Sequence, residues 1–450
     1  MAGNGRRVVV AGAGLAGASA AWRLAGRGFE VHLLERNSTA GGRAGSSIDP
    51  ESGEPIDTGQ HALMGCYSST LRWFAEMGTR HLVHIQDRLD VPFASNPAVR
   101  FRAKSLPAPL DLLGGIMALP GMDSASWLKA LSLGRVVFAG RSLDKVTVSG
   151  WMDSLGLPVP LRKWVIGPLA LAALNEQTGV GSAYPLARVM RRIGRRRGKW
   201  SALGWASAGL GDLYLGPVRN RVETTGGVFR TGAEINGIIE NGGKVAGVRL
   251  SGGGEIRADA VVLALAPWDL GRVLEGVPSC ASVAENAGKL KASPILTVHL
   301  WMDAGVLAGP FLGLEDGPFD WVFNRTLMVG TSPRSEHQGG ENPWRGVQHV
   351  CLLRSGAREL LGKKPVELEE MALECLRRAI PGFDRAGIVH RRIVWETRGT
   401  VSLVPGTDAL RPRARTPVKG LVLAGGWTAT GFPDTIESAV ISGERAAASV

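Results

Sequence analysis

Residues 8–35 read VVVAGAGLAGASAAWRLAGRGFEVHLLE, and this stretch decides the fold. Val8 to Ala11 is a short β-branched run of the kind that makes a buried parallel strand. It leads into Gly12-Ala13-Gly14-Leu15-Ala16-Gly17, a GxGxxG match. An alanine-rich segment with Leu15, Trp22 and Leu24 then predicts a helix that stops near Gly28. Phe29 to Leu34 predicts a second strand, which ends at Glu35. Strand, glycine turn, helix, strand and acid, in that order, form a dinucleotide-binding arrangement. Gly12 permits the tight turn, Gly14 lets backbone N–H groups approach a pyrophosphate, and Gly17 lets helix and strand pack closely. The helix N-terminus at Leu15 and Ala16 adds partial positive charge beneath the phosphates. Glu35, with Arg36 beside it, can accept hydrogen bonds from ribose hydroxyls. A 2′-phosphate would be repelled there, which disfavours NADP.

The choice between a nicotinamide and a flavin dinucleotide stays open until Ala40-Gly41-Gly42-Arg43-Ala44. This GGR stretch, soon after the second strand, resembles the FAD-dependent amine oxidase and isoprenoid desaturase superfamily. The resemblance implies FAD, with Gly42 and Arg43 on the flavin side of the cofactor. From Gly232 the chain alternates strands with the turn signals Asn241-Gly242-Gly243 and Ser251 to Gly254, up to an apolar strand at Ala260 to Leu265. In that superfamily such a meander places the residue at Ile235 against the adenine. Near the end, Leu421-Val422-Leu423-Ala424-Gly425-Gly426-Trp427-Thr428 reads as strand and loop. Asp434-Thr435-Ile436 reads as the start of a helix, with Asp434 or Thr435 as its cap. The resemblance sets Gly425, Gly426, Trp427, Thr435 and Ile436 around the flavin. It also implies an acid in the loop where this chain has Gly426, and therefore weaker retention of FAD.

The expected fold class is α/β: a Rossmann-like FAD-binding domain of the two-dinucleotide-binding-domain flavoprotein type, carrying an inserted α+β substrate domain. The expected division is 1–90, 215–290 and 395–450 for the cofactor, and 91–214 and 291–394 for the substrate. The 450 residues suffice for a large core, and 44% hydrophobic with 20% charged residues is ordinary globular composition. The net charge of +12 favours anionic partners. Cys66, Cys280, Cys351 and Cys375 fit neither a zinc spacing nor a disulfide framework, so no metal is expected and a reducing compartment is. The N-terminal arginines and apolar run imitate a signal peptide. The dinucleotide reading explains the same residues better, and no window has the length of a membrane span. A cytoplasmic protein, soluble or peripheral on the inner face of a membrane, is the expectation.

Asp57 to Tyr67 reads DTGQHALMGCY. With Pro168-Leu169 through Leu174-Asn175 and the ending Gly431-Phe432-Pro433-Asp434-Thr435-Ile436-Glu437-Ser438-Ala439, it is similar to the hydroxysqualene dehydroxylases, squalene-associated FAD enzymes of hopanoid-producing bacteria. The resemblance covers most of the chain. It implies reductive removal of an allylic hydroxyl, giving squalene. It also puts Gly59, Gln60 and His61 beside the flavin. A proton donor must then serve the departing oxygen. His61 is the first candidate, Asp57 and Tyr67 are weaker ones, and Gln60 would orient the hydroxyl or the flavin edge. A structural histidine bonded to backbone is the plain alternative for His61. Carotenoid or phytoene desaturation and amine oxidation are rival chemistries, and a flavin-free escort of prenylated proteins is a rival of another class.

A long isoprenoid needs an apolar tunnel, for which Leu106 to Pro120 and Trp164 to Leu171 supply material. The basic residues Arg188, Arg191, Arg192, Arg195, Arg196, Arg197 and Lys199, beside Trp200 and Trp205, suggest docking on anionic lipid. No nucleic-acid recognition fold accompanies them. The electron donor that would reduce the flavin is not readable from sequence.

Overall fold

The computed structural model describes residues 5–136, 140–330 and 344–450. The elements that position the site are, in chain order, strand β1 (Arg7–Ala11), helix α1 (Leu15–Ala25), β2 (Glu30–Leu34), β3 (Pro55–Asp57) and α2 (Ser68–Glu76). They continue with β4 (Val228–Arg230), β5 (Ala260–Leu263), β6 (Ala292–Met302), β7 (Trp321–Asn324) and α3 (Arg325–Val329). The last are β8 (Gln348–Ser355), β9 (Ile388–Val401), β10 (Leu421–Leu423) and α4 (Ile436–Ser449).

A five-stranded parallel sheet runs in the order β4-β2-β1-β5-β10. Val8, Val9 and Val10 are fully buried, as the central strand of a sheet covered on both faces requires. Helices α1 and α4 lie against one face, joined where the Ser19 hydroxyl donates to the Val440 carbonyl at 3.0 Å. Their approach is close enough that a Cβ at Gly443 would overlap the Ala16 carbonyl. The expected glycine turn is present: Gly12 has φ +98°, and a Cβ at Gly17 would overlap the Gly12 carbonyl oxygen. The meander follows as three antiparallel strands, Ile235–Asn241, Lys244–Leu250 and Glu255–Arg257.

The second large sheet has seven strands, in the order β9-β6-β8-β7, then Phe311–Leu314, Asp90–Ala94 and Val99–Arg102. Leu296, Val298, Leu300 and Met302 alternate onto one face of β6 and pack with the helix Pro365–Ala379. The other face carries Ile295, Thr297, His299 and Trp301, all but Ile295 fully buried or nearly so. That period of two sends one face of the strand to an apolar core and leaves the other polar. Strand β9 is continuous over fourteen residues, so the division expected at 394/395 cuts through a single strand. The reason is its pairing with β6 from Ala292 to Met302, which leaves no break at that point. Helices Val148–Ser154, Gly167–Leu174 and Ala183–Ile193 pack into one apolar core shared with strands of both sheets. Thr147 and Ser182 cap the first and last of these through their hydroxyls. All four cysteines are free and buried.

Candidate active site

A cavity of about 640 Å³ lies between the parallel sheet and the seven-stranded sheet, within the size range of small-molecule sites. Gly12, Gly14, Leu15, Ala16, Glu35 and Arg36 line one end of it. Gly14 ends its strand-to-helix turn without any side-chain cap on α1, so the first amides of the helix face the cavity with their N–H groups free for an anion. Gly17 does not line the cavity; it serves the contact between helix and turn. One Glu35 carboxylate oxygen accepts from the Ala13 amide at 3.0 Å and the other from the Asn37 amide at 3.0 Å. The acid is thus locked under the turn rather than swinging free. Arg36 pairs with Asp269 at 3.2 Å on the rim, and Ile235 closes that end from the meander.

Farther along, Gly42 and Arg43 line the cavity opposite Gly425, Gly426, Thr435 and Ile436. Thr435 is the N-cap of α4, its hydroxyl accepting from the Ser438 amide. Asp434 is no cap. Its carboxylate pairs with Arg43 at 2.5 Å and accepts from the Val401 amide at 2.9 Å. Arg43 also donates to the Gly399 carbonyl at 3.1 Å, so the arginine spans from α4 to β9. A Cβ at Gly426 would overlap Asp434 Oδ1. The carboxylate missing from the loop is therefore not simply absent: one from eight residues farther on fills that space. Trp427, expected among the cofactor residues, is fully buried in the core and donates to the Leu265 carbonyl at 2.9 Å. A strand-following tryptophan with an apolar core behind it is drawn inward, away from the cavity.

Gly59, Gln60, His61 and Tyr67 line the middle of the chamber. His61 Nε2 lies 3.2 Å from the Arg43 carbonyl oxygen. A carbonyl only accepts, so Nε2 carries the hydrogen, and in the neutral ring Nδ1 is the acceptor. Burial lowers the pKa of His61, against the opposing pull of Asp57. Burial raises the Tyr67 phenol far above its ordinary range, which keeps it protonated. Asp57 is not on the chamber surface. Its Oδ1 accepts from the Ser46 hydroxyl at 2.6 Å and the Leu210 amide at 3.2 Å, and its Oδ2 from Arg325 at 3.3 Å. With both oxygens occupied and a guanidinium alongside, it is not a proton donor to the chamber.

Sequence reasoning missed Arg325, Asp434 as a partner for Arg43, and most of the apolar wall. Leu203, Trp205, Phe311, Trp321, Phe323, Met328 and Leu353 form that wall, with Phe311 and Trp321 edge to face at 6.2 Å. Of the expected tunnel material, Leu171 alone of 164–171 reaches the cavity, followed by Ala172 and Ala173. The 106–120 segment lies elsewhere: Leu110 and Met117 are 52% and 50% exposed. A short helix on the protein's outside puts them there, and nothing in their hydrophobicity distinguishes that from a tunnel. The basic cluster divides. Arg188 donates to Tyr184 Oη, Arg192 to Ser68 Oγ, and Lys199 pairs with Asp87. Arg191, Arg195, Arg196 and Arg197 are exposed. Among the described residues no cluster of histidine, cysteine and acids could hold a metal, and no helix is long and apolar enough to cross a membrane.

The uncapped helix amides, the locked Glu35 and the glycine-lined passage between Gly14 and Gly42 fit an extended dinucleotide. The apolar chamber beyond them fits a ring system with a substrate above it. Known proteins agree. The profile of the family described as flavin containing amine oxidoreductase matches residues 15–450. A hydroxysqualene dehydroxylase of Rhodopseudomonas palustris is 29% identical over 448 residues, 98% of this chain and 97% of that protein. A 15-cis-phytoene desaturase of Solanum lycopersicum is 26% identical over 477 residues, 98% of this chain and 77% of that protein. The crystal structure of an oxidoreductase from Methanosarcina mazei superposes with a TM-score of 0.71 at 18% identity, over 97% of this chain and 99% of that one. Sequence, fold and cavity together make this chain a member of the flavin containing amine oxidoreductase family, an oxidoreductase whose cofactor is FAD.

Proposed function

We propose that the chain reductively removes the hydroxyl of hydroxysqualene, giving squalene. In this reaction the C–O bond breaks with its electron pair going to oxygen, which takes a proton and leaves as water. A hydride replaces it on carbon. Reduced FAD, when bound, supplies that hydride, and an electron donor yet to be identified restores it. The observation that supports this reading over desaturation is the chamber's composition. Beside its aromatic and aliphatic residues the wall carries polar ones, and among these Gln60 and His61 each keep a side-chain atom, the amide nitrogen and Nδ1, uncommitted. A pure hydrocarbon such as phytoene would bury those atoms without partners, at a cost of roughly 1–3 kcal/mol each. A hydroxylated isoprenoid satisfies them and still finds an apolar wall for its chain.

Within this reading the chain's own residues hold the oxygen and protonate it. His61 receives the bound hydroxyl as a neutral ring that accepts at Nδ1; only when Nδ1 takes a proton for the cleavage step can it pass that proton to the departing oxygen, since Nε2 is already engaged by Arg43. The apolar wall excludes water that would quench a developing allylic cation. Incubation of the protein with reduced FAD and hydroxysqualene should yield squalene, detected by mass. Conversion of phytoene with no squalene formed would overturn the proposal. His61→Ala should retain FAD and lower turnover about 10²- to 10⁴-fold, the usual contribution of a positioned acid; unchanged turnover would remove His61 from that role.

A further inference from the structure

Arg325 is buried, with 3% of its side chain exposed, and follows directly on β7. Asn324 fixes its backbone by accepting from the Leu327 amide at 2.9 Å and donating to the Leu307 carbonyl at 2.6 Å. From there Arg325 reaches three groups on the segment after β3 begins. Nη2 donates to the Pro55 carbonyl at 3.1 Å, and Nη1 to Asp57 Oδ2 at 3.3 Å and to Gln60 Oε1 at 2.7 Å.

The last of these bonds decides which way an amide faces. A guanidinium has donors only, so it must meet the oxygen of Gln60 and not the nitrogen. The amide NH₂ then points away from Arg325, and Gln60 is on the chamber wall. The next residue has the opposite polarity. His61 gives its Nε2 hydrogen to the Arg43 carbonyl, which leaves Nδ1 of the neutral ring as an acceptor. Neither atom is among the buried polar atoms that lack a partner, so both reach open space.

We infer that Gln60 and His61 form a donor–acceptor pair specific for a neutral hydroxyl, and that Arg325 is the positioning residue that fixes the pair's polarity. A hydroxyl group accepts one hydrogen bond and donates another, so it satisfies both members. A ketone or ether oxygen would use only the amide, an alkene neither. The inference rests on the dehydroxylase reading above and adds to it: it names the group by which the alcohol is told from its deoxygenated product.

The two ligands that differ in that one group give the test. Dissociation constants of hydroxysqualene and of squalene are measured with the FAD-loaded protein. The wild type should prefer the alcohol. Gln60→Met, which keeps the side chain's length and removes its polarity, should lower that preference about fivefold to tenfold, the loss of one neutral hydrogen bond. Its flavin content and visible spectrum should not change. Arg325→Met should lower the preference in the same direction, and Arg325→Lys, which can still donate to Gln60 Oε1, should recover part of it. A merely structural role for Arg325 would move both ligands' affinities together. An unchanged preference in Gln60→Met overturns the inference, as does a shifted flavin spectrum with the preference intact, since the amide would then face the flavin. A wild type that converts no hydroxysqualene fails the proposed function instead, whatever Gln60→Met does.

Discussion

The two ends of the cavity are built by different means. At the cofactor end the surface is backbone: the turn from Gly12 to Gly17, the free amides of α1, and the close approach of Gly14 to Gly42. At the chamber end it is side chains held by partners far away in sequence, with Arg325 and Gln60 265 residues apart. A backbone surface tolerates almost any neighbour but no added atoms. A side-chain surface tolerates added atoms at its rim but depends on every charge finding its partner. The first recognises a shape common to many proteins, and the second can be retuned one residue at a time.

The largest effect should come from adding atoms at the backbone end. Gly17→Val places a side chain against the Gly12 carbonyl, a collision that involves main chain on both sides and cannot relax locally. A destabilisation of about 3 kcal/mol or more is expected, with loss of flavin from the purified protein; a yellow protein of normal melting temperature would show that the turn is less tightly constrained than its geometry indicates.

A buried polar cluster on the seven-stranded sheet, outside the cavity lining, should respond to charge instead. Glu54 is buried, accepts from Trp301 Nε1 at 3.1 Å and lies 2.6 Å from His349 Nδ1, which in turn is 2.9 Å from His299 through its other nitrogen. Burial pushes the Glu54 carboxyl up from 4.5 to about 7. A carboxyl whose pKa is higher folded than unfolded favours the fold in its protonated form. That contribution is complete below about pH 4.5 and is lost as pH rises through 7. Its size is on the order of 2–3 kcal/mol. The wild type should therefore lose melting temperature between pH 5 and pH 8. Glu54→Gln, which keeps an acceptor and a donor but cannot ionise, should flatten that slope; a slope that persists in Glu54→Gln assigns the loss to other groups.

A third substitution sits where the two ends meet. Gly426→Asp would supply the loop acid that the sequence lacks, and a comparison of motifs alone predicts tighter FAD. The structure predicts the reverse, because Asp434 already occupies the space and a second carboxylate would lie against the first. Retention of FAD on dilution should fall, with a cost of roughly 1–2 kcal/mol from like charge and crowding. Improved retention would show that Asp434 can move aside without loss of its bond to Arg43.

The same contrast explains what could be read in the chain beforehand. The parallel sheet, the glycine turn, Glu35 and the cap at Thr435 follow from local patterns a few residues long, so their positions emerged from sequence. Gln60 and His61 stood out as polar residues in an apolar run, and both do line the chamber. Arg325 gave no signal: it is a single arginine after a hydrophobic strand, and only the register of β7 against β8 brings it under Asp57 and Gln60. Trp427 and the 106–120 segment misled for the converse reason. Hydrophobicity says that a residue avoids water, but not whether it does so in the core, against a ligand or, as at Leu110 and Met117, hardly at all.

The parallel sheet also has an order of assembly written into it. Its first strand pairs with β5 and, through it, β10, and α1 is fastened to α4 by a bond between residues 421 positions apart. At synthesis rates of about 5–20 residues per second, the ribosome needs roughly 20–80 s to supply the second partner after the first. Through that interval the valines of β1 and the amides of α1 exist without the surfaces that later cover them. The dinucleotide site is begun 421 residues before its last fastening is supplied, so a growing chain exposes an apolar strand throughout that interval before FAD can bind and hold it.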